Sequence, residues 1–273
     1  MFAPIILNAW ESGTIIAILA GVIGTFVVMR SQSFAAHAIP NASFVGGAAS
    51  TLVGASSFVG LGLFSILSAL AISFLSRRGR QDVAIALSTV TMLGLGALFL
   101  SWSRQYESAV YSLLFGQILG VSSNEIFQVA VIALIAIVGV FFLYRPLVLS
   151  SISPELAQAK GVKDNLVEIS LLLLVALVCT IAVPVVGALL IFSLLVAPAA
   201  SARQLSSSTS VALVLAVSLA LVTLWSAIAL SYLTNWPIGF FVGGTGALIY
   251  MTSKAMASWI GKFRPQVVGQ SSH

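Results

Sequence analysis

The chain has 273 residues, of which 59% are hydrophobic and only 7% charged, against about 25% charged in soluble domains, and its mean hydropathy is +1.12. That composition excludes a soluble globular fold and describes an all-α, polytopic transmembrane helix bundle, since each crossing takes roughly 20 apolar residues. A net charge of +5 and a pI near 9.7 do not point to nucleic acid, because 12 Lys and Arg scattered among apolar runs make no continuous patch.

In chain order, the N-terminal stretch "MFAPIILNAWESG" has no basic segment ahead of its short apolar run. The first spanning helix, rather than a cleaved signal peptide, is therefore expected to direct insertion. Apolar runs of spanning character follow near 12–29, 33–54, 57–76, 83–102, 126–144, 166–184, 186–202, 209–233 and 238–258. These predict about nine spans in a single transmembrane domain over 1–265, with a polar tail over 266–273. The stretch 166–202 is nearly unbroken, and Pro184 and Gly187 are the expected cut.

Basic residues fix the expected orientation, because short loops rich in Lys and Arg stay in the cytoplasm. With the N-terminus outside, the inner loops and helix ends hold Arg30; Arg77, Arg78 and Arg80; Arg145, Lys160 and Lys163; Arg203; and Lys254, Lys262 and Arg264. Only Arg104 falls outside, together with Glu11, Glu107 and Glu125. An odd number of spans places the C-terminus in the cytoplasm.

Two loops are long enough to carry structure. The outer one, "SRQYESAVYSLLFGQILGVSSNE", holds an apolar piece from Leu113 to Val121, too short to span and expected as a surface or re-entrant helix. The inner one, "YRPLVLSSISPELAQAKGVKDN", holds Pro154 and Glu155 where a helix starts and Gly161 where one stops. It reads either as an ordinary connector or as a docking helix for a cytoplasmic partner.

The chemistry is sparse. No acidic residue falls within the core of an expected span, which disfavours a proton-coupled carrier. There is no phosphate-binding G-x-x-x-x-G-K-[ST] loop, so any energy comes from another polypeptide. No carboxylate pair or Glu-x-x-His arrangement supports an enzyme. Cys179, the single cysteine, lies in "LLLLVALVCTIAV" and is expected to pack.

The exception is "MRSQSFAAHAIPNASFVGG", which carries His37 and, four residues on, Asn41, with Pro40 between them. On a continuous helix the two share a face about 6 Å apart along the axis. An imidazole suits zinc, iron or manganese and an amide oxygen is a weak, hard ligand. The competing reading is a histidine that hydrogen-bonds a facing serine, such as those of "STLVGASS", and packs helices together. Gly46, Gly47, Gly54, Gly60 and Gly62 are read as close-contact positions between helices.

Several segments together resemble the membrane subunit of ATP-binding-cassette importers for divalent metals. The clearest is 150–206, with Glu155, Ala157 and Gly161 as the acidic-Ala-Gly cytoplasmic helix, then Val186 to Leu190 and Pro198 to Arg203 as the Val-Gly-x-Leu-Leu and Pro-Ala-Ala-x-Ala-Arg patterns. "LLFGQILGVS" and "LSYLTNWPIG" look like family segments in the right order. The resemblance implies that an ATPase subunit grips the Glu155, Ala157 and Gly161 helix. It also implies that His37 and Asn41 line the metal path, where the family pattern has an acidic residue or His followed by a second His. Asn235 stands where the family often has Asp, so two metal-seeking positions here are amides.

The implied function is a homodimeric permease in a prokaryotic (inner) cell membrane. It would carry a zinc, manganese or iron ion from an extracellular or periplasmic metal-binding protein, with no covalently bound cofactor and the ATPase as a separate cytoplasmic subunit. Two alternatives stay open: a permease of the same fold for a metal chelate or other small solute, and a channel or secondary carrier that works alone.

Overall fold

Apolar runs interrupted only at a few Gly, Pro and polar positions fold into helices throughout the described residues, which are 4–76, 81–102, 106–117 and 123–263 of a computed structural model. In chain order they are α1 (Pro4–Met29), α2 (Ser33–Val53), α3 (Ser57–Ser76), α4 (Gln81–Ser101), α5 (Tyr106–Phe115), α6 (Ser123–Ile152), α7 (Pro154–Ala159), α8 (Asp164–Val186), α9 (Ile191–Leu205), α10 (Thr209–Thr234) and α11 (Ile238–Phe263). Each of the nine expected runs falls mainly on one helix, and α5 and α7 occupy the two long loops.

Among the described residues, length and apolarity sufficient to cross a bilayer hold for five helices: α1 from Leu7, α3 to Leu75, α6 from Glu125, α8 and α10. The segment expected to span over 186–202 departs from that expectation. Its helix, α9, starts only at Ile191 and has 15 residues, about 22 Å of rise, short of the roughly 30 Å hydrocarbon core. Pro184 does not make the cut either, since it lies inside α8, and the chain breaks at Gly187 with φ 98°. α2 is long enough but less apolar, and the reason is its position: from Ala35 to Ser50 nearly every residue is buried, packed on α3, α4 and α8. A helix that faces protein has no need to be apolar all round.

α1, α2, α8 and α9 form the centre, where α8 is buried along most of its length from Val167 to Val186. Cys179 is fully buried there and free, as a packing residue. α1 lies along α10, joined by an edge-to-face contact of Trp10 and Trp225 at 5.8 Å and by the Trp225 indole N–H donating to Thr14 Oγ1 at 3.1 Å.

α2 meets α3 at a crossing of two glycines. A Cβ on Gly46 would run into the Gly60 carbonyl, and one on Gly60 into the Gly46 carbonyl and Ser50 Oγ. Backbone cannot step aside as a side-chain tip can, so Gly60→Val is expected to destabilise the protein by about 1–3 kcal/mol, the usual range for overpacking. Thermal unfolding of the detergent-solubilised protein checks this; an unchanged midpoint would refute the tight crossing. Gly54 serves differently, as the left-handed C-cap of α2 with open space around it.

The outer-loop helix also differs from expectation. It runs over Tyr106–Phe115 rather than from Leu113, and it ends at Gly116, φ 80°, packed against the break at Gly187. The carbonyls of Leu113 and Leu114, left over at the helix end, accept from the N–H groups of Ala188 and Leu189, while Gln117 N–H donates to the Pro184 carbonyl. The two chain breaks thereby satisfy each other's backbone groups, the condition for irregular backbone inside a membrane protein.

The turn after α1 sits beside the end of α6 and the start of α8, because Arg30 bonds both. This gathers three helix ends at one end of the bundle, the end that the Lys and Arg pattern assigns to the cytoplasm. Arg77, Arg78, Arg80, Arg104, Arg264, the segment 118–121 and the tail 266–273 lie outside the described residues.

Candidate functional site

The site begins with what Pro40 does to α2. Lacking an N–H, it withdraws the donor that the Ala36 carbonyl would receive one turn earlier, yet the helix runs on from Ser33 to Val53. His37 and Asn41 therefore sit one turn apart on one face, as their spacing requires.

Asn41 is fully buried. Its Nδ2 donates to the His37 carbonyl at 2.8 Å, and because only the NH2 of an amide can donate to a carbonyl, that bond fixes the amide's orientation. Its Oδ1 is turned away from the helix backbone and is buried with no hydrogen-bond partner among the described residues. The same is true of His37 Nδ1. The His37 ring packs edge to face on Phe192 of α9, with centroids 5.0 Å apart at 75°, and Nδ1 makes no bond to a facing serine.

Buried polar atoms are paired in the great majority of cases, and leaving one unpaired costs about 1–3 kcal/mol. Two such atoms, a ring nitrogen and an amide oxygen, belong to residues one turn apart on α2. Each is an atom of a kind that can accept from a donor or contact a cation. No group of three or more His, Cys, Asp or Glu is placed to hold a metal ion among the described residues.

Asn235 lies elsewhere. It caps α10 in the left-handed conformation, φ 58°, with its N–H on the Ser231 carbonyl, while Ser231 Oγ donates to the Trp236 carbonyl at 2.7 Å. It lines a cleft of about 210 Å³ with Tyr111, Gly116, Gln117, Trp236 and Pro237. No residue of α2 lines that cleft, so the fold does not unite Asn235 with His37 and Asn41 within it.

Glu155, Ala157 and Gly161 belong to α7. Ser153 caps its start, accepting from Leu156 N–H, with Pro154 in the first position. Glu155 is exposed in the first turn, Ala157 is buried, and Gly161 takes φ 76°. The end closes as a Schellman motif: Val162 N–H bonds the Ala157 carbonyl and Gly161 N–H bonds the Gln158 carbonyl. Leu156 is 57% exposed and Ile152 63%, and both line a groove of about 520 Å³ between α6 and α7. Six residues closed at both ends, with apolar side chains left outside, make a compact projecting knob.

Reading the sequence for chemistry passed over two residues that the structure brings to these features. Phe192 touches His37 across 155 positions of sequence, and nothing local marks it. Arg30, counted only as a topology signal, bonds Ser150 and Asp164, and its place in the short polar turn "RSQ" just ahead of the His37 helix was the available clue.

The sequence profile of the ABC 3 transport family matches residues 3–257. The chain belongs to that family. It is similar to the manganese transport system membrane protein MntC of Listeria monocytogenes, 32% identical over 226 residues that cover 82% of this chain and 80% of the relative. It is also similar to the high-affinity zinc uptake system membrane protein ZnuB of Buchnera aphidicola, 27% identical, covering 85% and 90%. Among solved structures, PsaBC from Streptococcus pneumoniae in complex with Fab superposes with a TM-score of 0.83 at 25% identity, covering 92% of this chain and 91% of that one. This member of the ABC 3 transport family is accordingly a multi-pass membrane protein whose role is transport.

Proposed function

We propose that this chain is the permease subunit of an importer that carries a divalent metal ion into a prokaryotic cell, manganese, zinc or iron, with ATP hydrolysed by a separate subunit. The observation that carries the reading is the pair of buried, unpaired atoms, His37 Nδ1 and Asn41 Oδ1, on one face of α2. A conduit must bind its ion weakly enough to release it, and one imidazole with one amide meets that need better than a complete ligand set. Relatives named for manganese and zinc support the choice of substrate.

In this reading two copies form the pathway, an extracellular or periplasmic binding protein delivers the ion, and the N-terminus lies outside with the C-terminus in the cytoplasm. Asn235, at the opposite end of the bundle from Arg30, belongs to the outer mouth. The α7 knob is the part that the ATPase subunit grips, through Glu155, the exposed Leu156 and the Gly161 cap.

The test is uptake of radiolabelled manganese, zinc and iron, each free and chelated, in cells that express this chain with its ATPase and binding protein. Accumulation of a free ion is expected; accumulation of the chelate alone would replace the ion by a complex on the same scaffold. Flux through vesicles that hold this chain alone would instead make it a channel or carrier. For the knob, Glu155→Arg is expected to leave the permease folded but to lower ATPase co-purification and uptake about tenfold, an interface charge reversal costing roughly 1.4 kcal/mol. Normal uptake in that variant would sink the docking role.

A further inference from the structure

The turn between α1 and α2 is built as a rigid elbow. α1 ends in its own Schellman motif, with Gln32 N–H on the Val27 carbonyl and Ser31 N–H on the Val28 carbonyl. The left-handed position of that motif is Ser31, φ 56°, where glycine is the usual residue. A side-chain-bearing residue held there signals surroundings that fix the backbone. α2 starts immediately, since Ala36 N–H already bonds the Gln32 carbonyl. A displacement of the elbow therefore passes directly into the helix that carries His37, seven residues beyond Arg30.

What holds the elbow is Arg30. Its side chain is 9% exposed. Nη1 donates to Ser150 Oγ at 2.6 Å and Nη2 to Asp164 Oδ1 at 2.7 Å. These two partners flank α7 on either side: Ser150 precedes the Ser153 cap by three residues, and Asp164 follows Gly161 by three. One guanidinium thus spans the chain entering the knob and the chain leaving it. Its planar fork grips two partners in fixed geometry, as a lysine ammonium does not.

We propose that Arg30 is the positioning residue that transmits movement of the α7 knob to the His37 and Asn41 face of α2. The assignment rests on the reading of α7 as the ATPase-gripped element. When the knob shifts, both of its anchors shift with it, and Arg30 draws the elbow along. Arg30 touches neither the ion nor the ATPase; it acts through the backbone of the elbow.

The test uses the full transporter in proteoliposomes, permease with its ATPase subunits and binding protein, and reads ATPase co-purification, ATP hydrolysis and manganese or zinc uptake separately. Arg30→Met is expected to keep co-purification and hydrolysis within about twofold of wild type while uptake per ATP falls about tenfold, within the range of coupling between distant sites. Arg30→Lys, able to hold one partner at a time, should fall between. A purely structural arginine would lower abundance, hydrolysis and uptake together, leaving uptake per ATP unchanged, and that result would overturn the proposal. Should Arg30→Met fail to insert, Asp164→Asn removes the charge pair at its exposed partner, 61% accessible. It is expected to lower uptake per ATP about fivefold, the low end of such couplings, and an unchanged ratio would again overturn the proposal. Glu155→Arg separates the two readings: normal co-purification in that variant overturns α7 as the gripped element and with it this assignment, whereas lost co-purification beside a normal Arg30→Met ratio overturns the role of Arg30 alone.

Discussion

His37→Ala is expected to cut ion uptake at least about tenfold, the order seen when a group that supports a metal contact is removed, while the protein still inserts and unfolds near the wild-type midpoint. The second half of that expectation follows from what the side chain does not do. Nδ1 makes no hydrogen bond that the substitution would break. What is lost is an edge-to-face contact with Phe192, worth about 0.5–1.5 kcal/mol beyond its area for a ring pair. Asn41 keeps its bond, because the acceptor is the His37 backbone carbonyl and not the ring. A packing histidine would show the reverse pattern: a lowered midpoint with uptake per folded molecule intact. His37→Gln sharpens the comparison, since an amide retains polarity and length but lacks the imidazole nitrogen. Uptake restored by glutamine would mean that any polar atom suffices there, and it would favour a hydrogen-bonded solute over a bare ion.

Much of this arrangement was readable from the sequence where local chemistry decides it. The α7 knob was legible because Pro154 and Gly161 can each do little else in a short polar loop, and the structure closes the helix with both. The shared face of His37 and Asn41 followed from spacing alone, given that Pro40 did not end the helix. Of the expected cut, Pro184 does not break the helix, since proline is tolerated in a membrane helix when neighbours compensate; Gly187 does, against Leu114, Phe115 and Gly116, which lie far from it in sequence. Of the apolar stretch from Leu113, the residues up to Phe115 close the outer helix rather than begin it, since Gly116 meets the Gly187 break and no local pattern encodes that meeting. Arg30 shows the limit most clearly. Its partners lie 120 and 134 positions along the chain, so its sequence context reports a basic residue at a helix end and nothing of the bridge. The unpaired state of His37 Nδ1 and Asn41 Oδ1 was beyond reach too, because it depends on which way one amide turns in a packed interior.

Gly187→Val is expected to lower stability by more than about 3 kcal/mol, the size reserved for substitutions that break a specific structural device. Three effects coincide there. Gly187 has φ 98° and ψ 145°, a region that side-chain-bearing residues rarely enter, at a cost of order 1–3 kcal/mol. Its Cβ would also run into the Leu114 carbonyl and lie 2.6 Å from the Phe115 carbonyl carbon and 2.7 Å from Gly116 N. All three are backbone atoms, so relief requires α5 to retreat. Retreat then parts Ala188 N–H from the Leu113 carbonyl, now at 2.9 Å, Leu189 N–H from the Leu114 carbonyl at 3.3 Å, and Gln117 N–H from the Pro184 carbonyl at 3.1 Å. Each is worth about 1 kcal/mol when made and more when its buried groups are left without water. The measurement is the unfolding midpoint of the detergent-solubilised protein, with Leu189→Ala beside it as a control, because Leu189 is 37% exposed and its bond to the Leu114 carbonyl is made by the backbone N–H that the substitution keeps. The control should stay within about 1 kcal/mol of wild type, as expected for a partly exposed side chain away from such devices. A Gly187→Val protein as stable as the control would show that the break between α8 and α9 is held by something other than its fit against α5. The loss should extend to transport, because Ile191 and Phe192 start the helix directly after the break, and Phe192 is the residue against which His37 is set.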